Sequence, residues 1–293
     1  MIEVWVLAGA GVVAAAGVVV AIVSRRQVRR MREEVAEAEY AAEEAQAIKN
    51  DFVAMVSHEL RTPLTSIAGF AETLLESWKD LPPVEVEEFL SIVTKQSQYL
   101  GDLVEDVLVI PRLEAGRLRF HPVMFDLGSV IRDVTTMLFP AGSGREAHVS
   151  IPEGMRVYGD PKRVHQVIRN LLENARKYGG EQVLIEGFPY GDHFVMVVSD
   201  NGPGVPDPSI QRIFEHFEQV SKGDARSSSG IGLGLPIARR LARAMGGDVW
   251  YERRFPTGSR FCLSVTLSPA AAERVAQQRA EAEQVGSTGS ARR

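Results

Sequence analysis

His58 stands in the run Ser57-His58-Glu59-Leu60-Arg61-Thr62-Pro63-Leu64, which brings a ring nitrogen, a carboxylate and a hydroxyl within about one helical turn. An imidazole becomes a nucleophile when an acceptor holds one ring nitrogen, because the other then presents its lone pair. Glu59 is placed to be that acceptor, and Thr62 would share a helix face with His58. Pro63 removes a helical hydrogen bond just beyond, so the helix can bend there. A lone helical histidine is more often structural than reactive; the company it keeps here points to chemistry.

A second set of candidates lies in the carboxy-terminal half. Asn170 and Asn174 fall one helical turn apart with Glu173 between them. Amide carbonyls beside a carboxylate suit Mg²⁺, a hard ion that takes its remaining ligands from water and phosphate. Lys177 can reach phosphate oxygens from the same helix, although two asparagines on a helix can also be mere surface. Asp200-Asn201-Gly202-Pro203-Gly204 follows an apolar run, where Asp200 can accept a hydrogen bond from a base amino group and the glycines admit a ligand close to the backbone. The plain alternative is a β-turn. Phe214 and Phe217 precede a polar stretch running to Ser229, the pattern of a mobile lid and its hinge. Gly230-Ile231-Gly232-Leu233-Gly234 opens a helix, and backbone amides there form an anion site. Its spacing is not that of a dinucleotide fingerprint, and no Gly-Lys-Ser/Thr makes it a Walker loop.

These groups need elements to position them. Phe52, Val56, Leu60, Pro63, Ile67, Phe70 and Leu74 recur at three- and four-residue steps, as do Phe89, Val93, Leu100, Leu103, Val107 and Ile110, with Gln96 in the one polar slot. Leu81-Pro82-Pro83 breaks the two helices apart, and the inward seam of Phe52, Val56, Leu60 and Pro63 leaves His58 on an open flank of the first. Two helices bury a poor core, so a second copy completing a four-helix bundle is the natural outcome. From Phe120 to Ser268, strands are expected over 183–188, 194–199, 248–251 and 259–267, and helices over 127–138, 162–178 and 235–245. That alternation predicts an α/β sandwich, making the whole chain α+β.

The ends read differently. Residues 4–23 carry no charge and would reach about 30 Å as a helix, the depth of a bilayer's hydrocarbon core. Trp5 sits where an interfacial aromatic would, and Arg25, Arg26, Arg29, Arg30 and Arg32 crowd the far side. A single-pass anchor in the inner (cytoplasmic) cell membrane is expected, with the rest of the chain in the cytoplasm. A cleaved signal peptide fits less well, because Glu3 and no Lys or Arg precede the span. With few residues ahead of it, no extracytoplasmic sensor domain is expected. Expected boundaries are 1–24 for the anchor, 25–50 for a Glu/Ala-rich linker helix, 51–119 for the helical hairpin, 120–268 for the sandwich, and 269–293 for a short frayed helix with a disordered tail. Of 293 residues, 45% are hydrophobic and 24% charged, as in ordinary folded proteins. A net charge of -5 argues against a general nucleic-acid binder, and the single Cys262 excludes a disulfide framework or a cysteine zinc site.

The run from His58 to Leu64 resembles the phosphoacceptor H box of two-component sensor histidine kinases. Leu108 to Arg117 is similar to that family's X region, with Pro111 where a small polar residue is more usual. The clusters around Asn174, Asp200, Phe214 and Gly232 resemble, in order, the N, G1, F and G2 boxes of the Bergerat ATP fold, shared with Hsp90, type II topoisomerases and mismatch-repair ATPases. Thr257 to Phe261 is similar to the last glycine element of the kinases, so the resemblance covers roughly Asp51 to Leu267. It implies ATP and Mg²⁺. Asn174 would coordinate the ion with Asn170 beside it and Glu173 as a further candidate, Lys177 and Tyr178 would contact phosphate and base regions, and Asp200 would read adenine. Gly202, Gly204, Gly230, Gly232, Leu233 and Gly234 would frame the nucleotide, with Phe214 and Phe217 beside it. Glu59 would orient His58, and Thr62 would position a water for dephosphorylation. The activity implied is that of a membrane-anchored homodimer that phosphorylates itself on His58, passes the phosphate to an aspartate of a separate response regulator, and also dephosphorylates that regulator. No receiver domain is expected within this chain. The rival is a tethered nucleotide-binding scaffold without phosphotransfer, against which the intact His58, Glu59, Asn174 and Asp200 speak. An ATP-driven clamp would need transducer domains for which the sequence shows no room.

Overall fold

A computed structural model describes residue 31 and residues 35–40, 43, 46–47, 50, 53–140, 142, 144–215 and 232–290. The apolar stretch over 4–23 and its arginines lie outside the described residues, as do Phe52, Phe217, Gly230 and the polar stretch between the last two. No helix among the described residues is long and apolar enough to cross a membrane. The chain divides into two units, Met1–Met55 and Val56–Arg293. In the first, the described residues from 31 to 50 are helical, and Gln46 Nε2 donates to Asn50 Oδ1 one turn on at 3.0 Å.

The second unit opens with a helical hairpin. Helix α1 (residues 56–77) turns through 78–82 into α2 (Pro83–Glu114), where Pro83 occupies the first turn, the one place its missing N–H costs nothing. Val56, Leu60, Ile67, Phe70 and Leu74 are half-buried and Pro63 is buried, as the seam predicts. Phe70 meets Phe89 of α2 with ring centroids 5.0 Å apart. Pro111 lies inside α2 without ending it; the helix stops at Ala115, and Gly116 takes a positive φ of 62°.

The sandwich follows. Strand β1 (Val123–Asp126) pairs antiparallel with β3 (Arg156–Gly159) in a small ribbon. The main sheet has the order β2-β4-β5-β7-β6, formed by β2 (Glu146–Ser150), β4 (Gln182–Tyr190), β5 (His193–Asp200), β6 (Asp248–Arg253) and β7 (Ser259–Thr266). Only β2 with β4 is parallel. Against the sheet pack α3 (Leu127–Leu138), α4 (Pro161–Tyr178) and α5 (Gly234–Ala244). Their apolar stripes supply the core with the strand residues Val183, Ile185, Phe194, Met196, Val249 and Leu263. Cys262 is buried on β7, where desolvation pushes its thiol up to about 12, so it acts as a small hydrophobe.

The three helices fall where the sequence places them. Strands β1, β2 and β3 were not foreseen, since β1 and β3 are four residues each and β2 is mostly exposed and polar. The tail expectation needs correction. Helix α6 runs over Pro269–Ser290, started by Ser268, whose hydroxyl accepts from Ala271 N at 3.1 Å. Ala271 is buried, and Arg274 pairs with Asp192 in the β4–β5 turn, so the helix has a docking contact that composition alone does not reveal.

Candidate active site

Helix α4 and strand β5 build the floor of the site. Asp160 caps α4, accepting from Lys162 N at 3.0 Å and Arg163 N at 3.3 Å, with Pro161 at the first position. From that fixed start, Asn170, Glu173, Asn174, Lys177 and Tyr178 line one side of a cavity of about 670 Å³. Asp200, at the end of β5 and close to the carboxy-terminal end of α4, lines it as well. Its Oδ1 accepts from Gly202 N at 2.9 Å and Ser259 N at 3.2 Å, which leaves Oδ2 able to accept from a ligand. Asn170 Nδ2 donates to Gly234 O at 3.0 Å and so leaves its carbonyl oxygen for a cation or bound water. The residue is 5% exposed and ties α4 to the start of α5.

Glycines set how closely the walls approach. Gly204, Gly232, Gly234 and Leu233 line the cavity, and Gly204 and Gly232 adopt positive φ of 77° and 71°. Gly202 lies just behind it, where a Cβ would come within 2.7 Å of Tyr178 O. Helix α5 begins at Gly234 with no side-chain capping bond, so its first amides stay available to an anion. Phe214 does not line the cavity; Arg239 of α5 lies over its ring at 4.7 Å, and this contact ties the short helical turn of Phe214 to α5. Tyr178 is half-exposed, and burial of its remainder raises its phenol above the ordinary value.

Several wall residues carry no site role in the sequence reading, although Thr257 and Gly258 belong to the run that resembles a kinase glycine element. Gly258, at φ 121°, is so close to Asp200 that a Cβ there would lie 2.0 Å from its carbonyl oxygen. Thr257, Pro256 and Arg254 continue that wall, and Tyr251 Oη accepts from Val205 N at 3.2 Å to hold the facing loop. Only the proximity of β6 and β7 to β5 brings these groups in. The largest omission is the hairpin itself, because Tyr99, Asp102, Leu103 and Asp106 of α2 close one side. They are held by an ion-pair seam. Arg169 bonds Asp102 and reaches both oxygens of Asp106 at 3.4 Å, Gln166 Nε2 donates to Asp106 Oδ1 at 2.6 Å, and Arg163 Nη1 donates to Glu105 at 3.0 Å. Farther along, Arg240 of α5 meets Glu114 at 2.7 Å.

His58 is not among the cavity's lining residues. Its side chain is 77% exposed on α1, with Nδ1 3.9 Å from Glu59 Oε1, while the Glu59 side chain is only 18% exposed. That separation is longer than a hydrogen bond but lies on the correct nitrogen to hold a tautomer. Thr62 Oγ1 donates to the His58 carbonyl oxygen at 3.3 Å, so its hydroxyl is turned back on its own helix.

Known proteins share this construction. Residues 48–116 match the His Kinase A (phospho-acceptor) domain family, and residues 159–269 match the family described as histidine kinase-, DNA gyrase B-, and HSP90-like ATPase. The signal transduction histidine-protein kinase BarA of Escherichia coli K12 is 34% identical over 77% of this chain. Sensor histidine kinase RcsC of Salmonella typhimurium LT2 is 33% identical over 81% of it. In both cases the match spans 25% of the relative's own length. Among solved structures, full-length ShkA in complex with AMPPNP aligns over 74% of this chain and 46% of its own, at 27% identity and a TM-score of 0.53. Histidine kinase AdeS of Acinetobacter baumannii shares the fold at 23% identity and a TM-score of 0.53, over 72% of this chain and 98% of its own. A phosphoacceptor hairpin joined to an ATPase domain of this type, in this order, makes the chain a member of the two-component sensor histidine kinase family.

Proposed function

We propose that the chain is a membrane-anchored homodimer that uses ATP to phosphorylate His58 and then passes the phosphate to an aspartate on a separate response regulator. The observation that carries this reading is the pairing of an exposed, carboxylate-flanked imidazole with a glycine-walled cavity whose polar groups keep acceptor atoms free. The donor set fits Mg·ATP: Asn174 and the free carbonyl of Asn170 for the ion, Glu173 beside them, Lys177 for phosphate, Asp200 for the adenine amino group. Mg²⁺ held there would neutralise charge on the phosphates as the γ-phosphoryl group leaves.

Because Nδ1 faces Glu59, Nε2 is the attacking nitrogen. It forms the N–P bond, the bond from the γ-phosphorus to the bridging oxygen breaks, ADP departs, and the Nδ1 proton passes toward Glu59. The cavity does not include His58, so transfer requires the ATPase part to swing about the extended connection over residues 117–122 and release the seam on α2. Dimerisation is supported by large apolar side chains left exposed along the hairpin, including Leu64, Leu75, Trp78, Val84 and Leu90. A solution mass of one chain would refute it. Anchoring rests on the charge-free stretch over 4–23 and the arginines beyond, and recovery of the intact chain from the soluble fraction would refute that.

His58→Gln is expected to abolish acid-labile labelling from γ-³²P-ATP while leaving ATP affinity within about twofold, since the side chain lies outside the cavity. Retained labelling, or equal loss of both properties, would contradict the assignment. Thr62→Ala is expected to spare autophosphorylation and slow the loss of phosphate from the regulator about tenfold. An unchanged dephosphorylation rate would remove Thr62 from that role.

A further inference from the structure

We infer that Tyr99 is a positioning residue for phosphorylation of His58, resting on the reading of His58 as the phosphate acceptor. Tyr99 lies on α2, opposite the histidine, and its hydroxyl donates to Glu59 Oε2 at 3.4 Å. The other oxygen of the same carboxylate, Oε1, is the one 3.9 Å from His58 Nδ1. The two oxygens of Glu59 are thus divided between the facing helix and the imidazole.

That division does physical work. A glutamate terminal torsion is broad, so an untethered carboxylate spends much of its time with neither oxygen aimed at the ring. A phenol at a fixed place on the opposite helix holds Oε2, and a planar carboxylate held at Oε2 has Oε1 directed as well. Glu59 is mostly buried while His58 is exposed, so the rigid partner aims the mobile one. Both separations are long for hydrogen bonds, as such contacts often are before substrate binds, and they can tighten in the reacting complex. Tyr99 also lines the nucleotide cavity beside Asp102 and Leu103. One side chain therefore touches both the cavity and the carboxylate that sets the histidine tautomer.

The test uses the full chain and Tyr99→Phe, which keeps the ring against the cavity and removes only the hydroxyl. Autophosphorylation kcat is expected to fall about fivefold to twentyfold, with KM for ATP within about twofold. In nucleotide-free protein, ¹⁵N shifts of the His58 ring are expected to show a smaller share of the Nδ1–H tautomer in Tyr99→Phe. In a Glu59→Gln background the same Tyr99→Phe change should move those shifts no further, because the two residues act through one contact. Wild-type kcat, a change confined to KM, or an equal tautomer shift with and without Glu59 would overturn the inference. The His58→Gln control separates the failures: if that variant still labels, the acceptor assignment fails, and if it is silent while Tyr99→Phe is normal, only the role of Tyr99 fails.

Discussion

At the scale of single residues, two buried polar side chains of the site, Asp200 and Asn170, each keep one atom unspent. Asp200 gives Oδ1 to two backbone amides and keeps Oδ2, while Asn170 gives its amide nitrogen to Gly234 and keeps its carbonyl. This yields a sharp expectation for Asp200→Asn. The variant can still accept at Oδ1, so its Tm should stay within a few degrees of the parent, but its new NH₂ faces the donor it ought to bind. ATP affinity should fall on the order of 10- to 100-fold, the range expected when a hydrogen bond to a charged acceptor is lost. Titration calorimetry with ATP checks it, and an affinity within twofold of the parent would mean that Asp200 serves the backbone alone.

At the scale of elements, the site depends on turns that let β5, β7 and α4 approach without side chains between them. Gly258 is the extreme case, with φ 121° and a would-be Cβ 2.0 Å from Asp200 O. Gly258→Ala should therefore destabilise the protein by about 2–4 kcal/mol, because both the backbone conformation and the space are denied to it. Gly101→Ala on α2, where a Cβ would meet nothing within 4 Å, should be neutral or slightly stabilising. Thermal unfolding of the pair separates the local cause from a general intolerance of substitution, since equal Tm values would rule out the close approach at Gly258.

At the scale of the whole second unit, the α2–α4 seam decides how the ATPase part is held. Burial raises Asp106 above the ordinary carboxylate value, although Arg169 and the hydrogen bond from Gln166 pull it down. A raised carboxyl stabilises the packed state in its protonated form. That contribution is fully present below the unfolded value of 3.8 and is lost as pH rises through the higher folded value. Asp106→Asn keeps the acceptor oxygen and cannot ionise, so at pH 7 it should melt at the same temperature as the parent or higher. The difference should shrink as pH falls toward the ordinary carboxylate value of 3.8, because the parent's raised carboxyl becomes protonated on the way. A clearly lower Tm for Asp106→Asn at pH 7 would show that attraction to Arg169 outweighs desolvation.

Much of this was legible in the chain itself. Residue types at short spacing marked His58 with Glu59 and Thr62, Asn170 with Asn174, and the glycine runs, because chemistry within one helical turn or one loop is written in consecutive residues. The hairpin seam and helices α3, α4 and α5 were equally readable, since a stripe buried on one face imposes a period on the sequence. Strands β1 and β3 were missed because four residues each are too few to show a period, and β2 because an exposed edge strand need not alternate. Only the tertiary structure could show that α2 walls the nucleotide cavity, that Gly258 abuts Asp200, and that Tyr99 reaches Glu59 from the opposite helix. Those contacts join residues far apart along the chain, and their cause is the packing of whole elements, which no local spacing records.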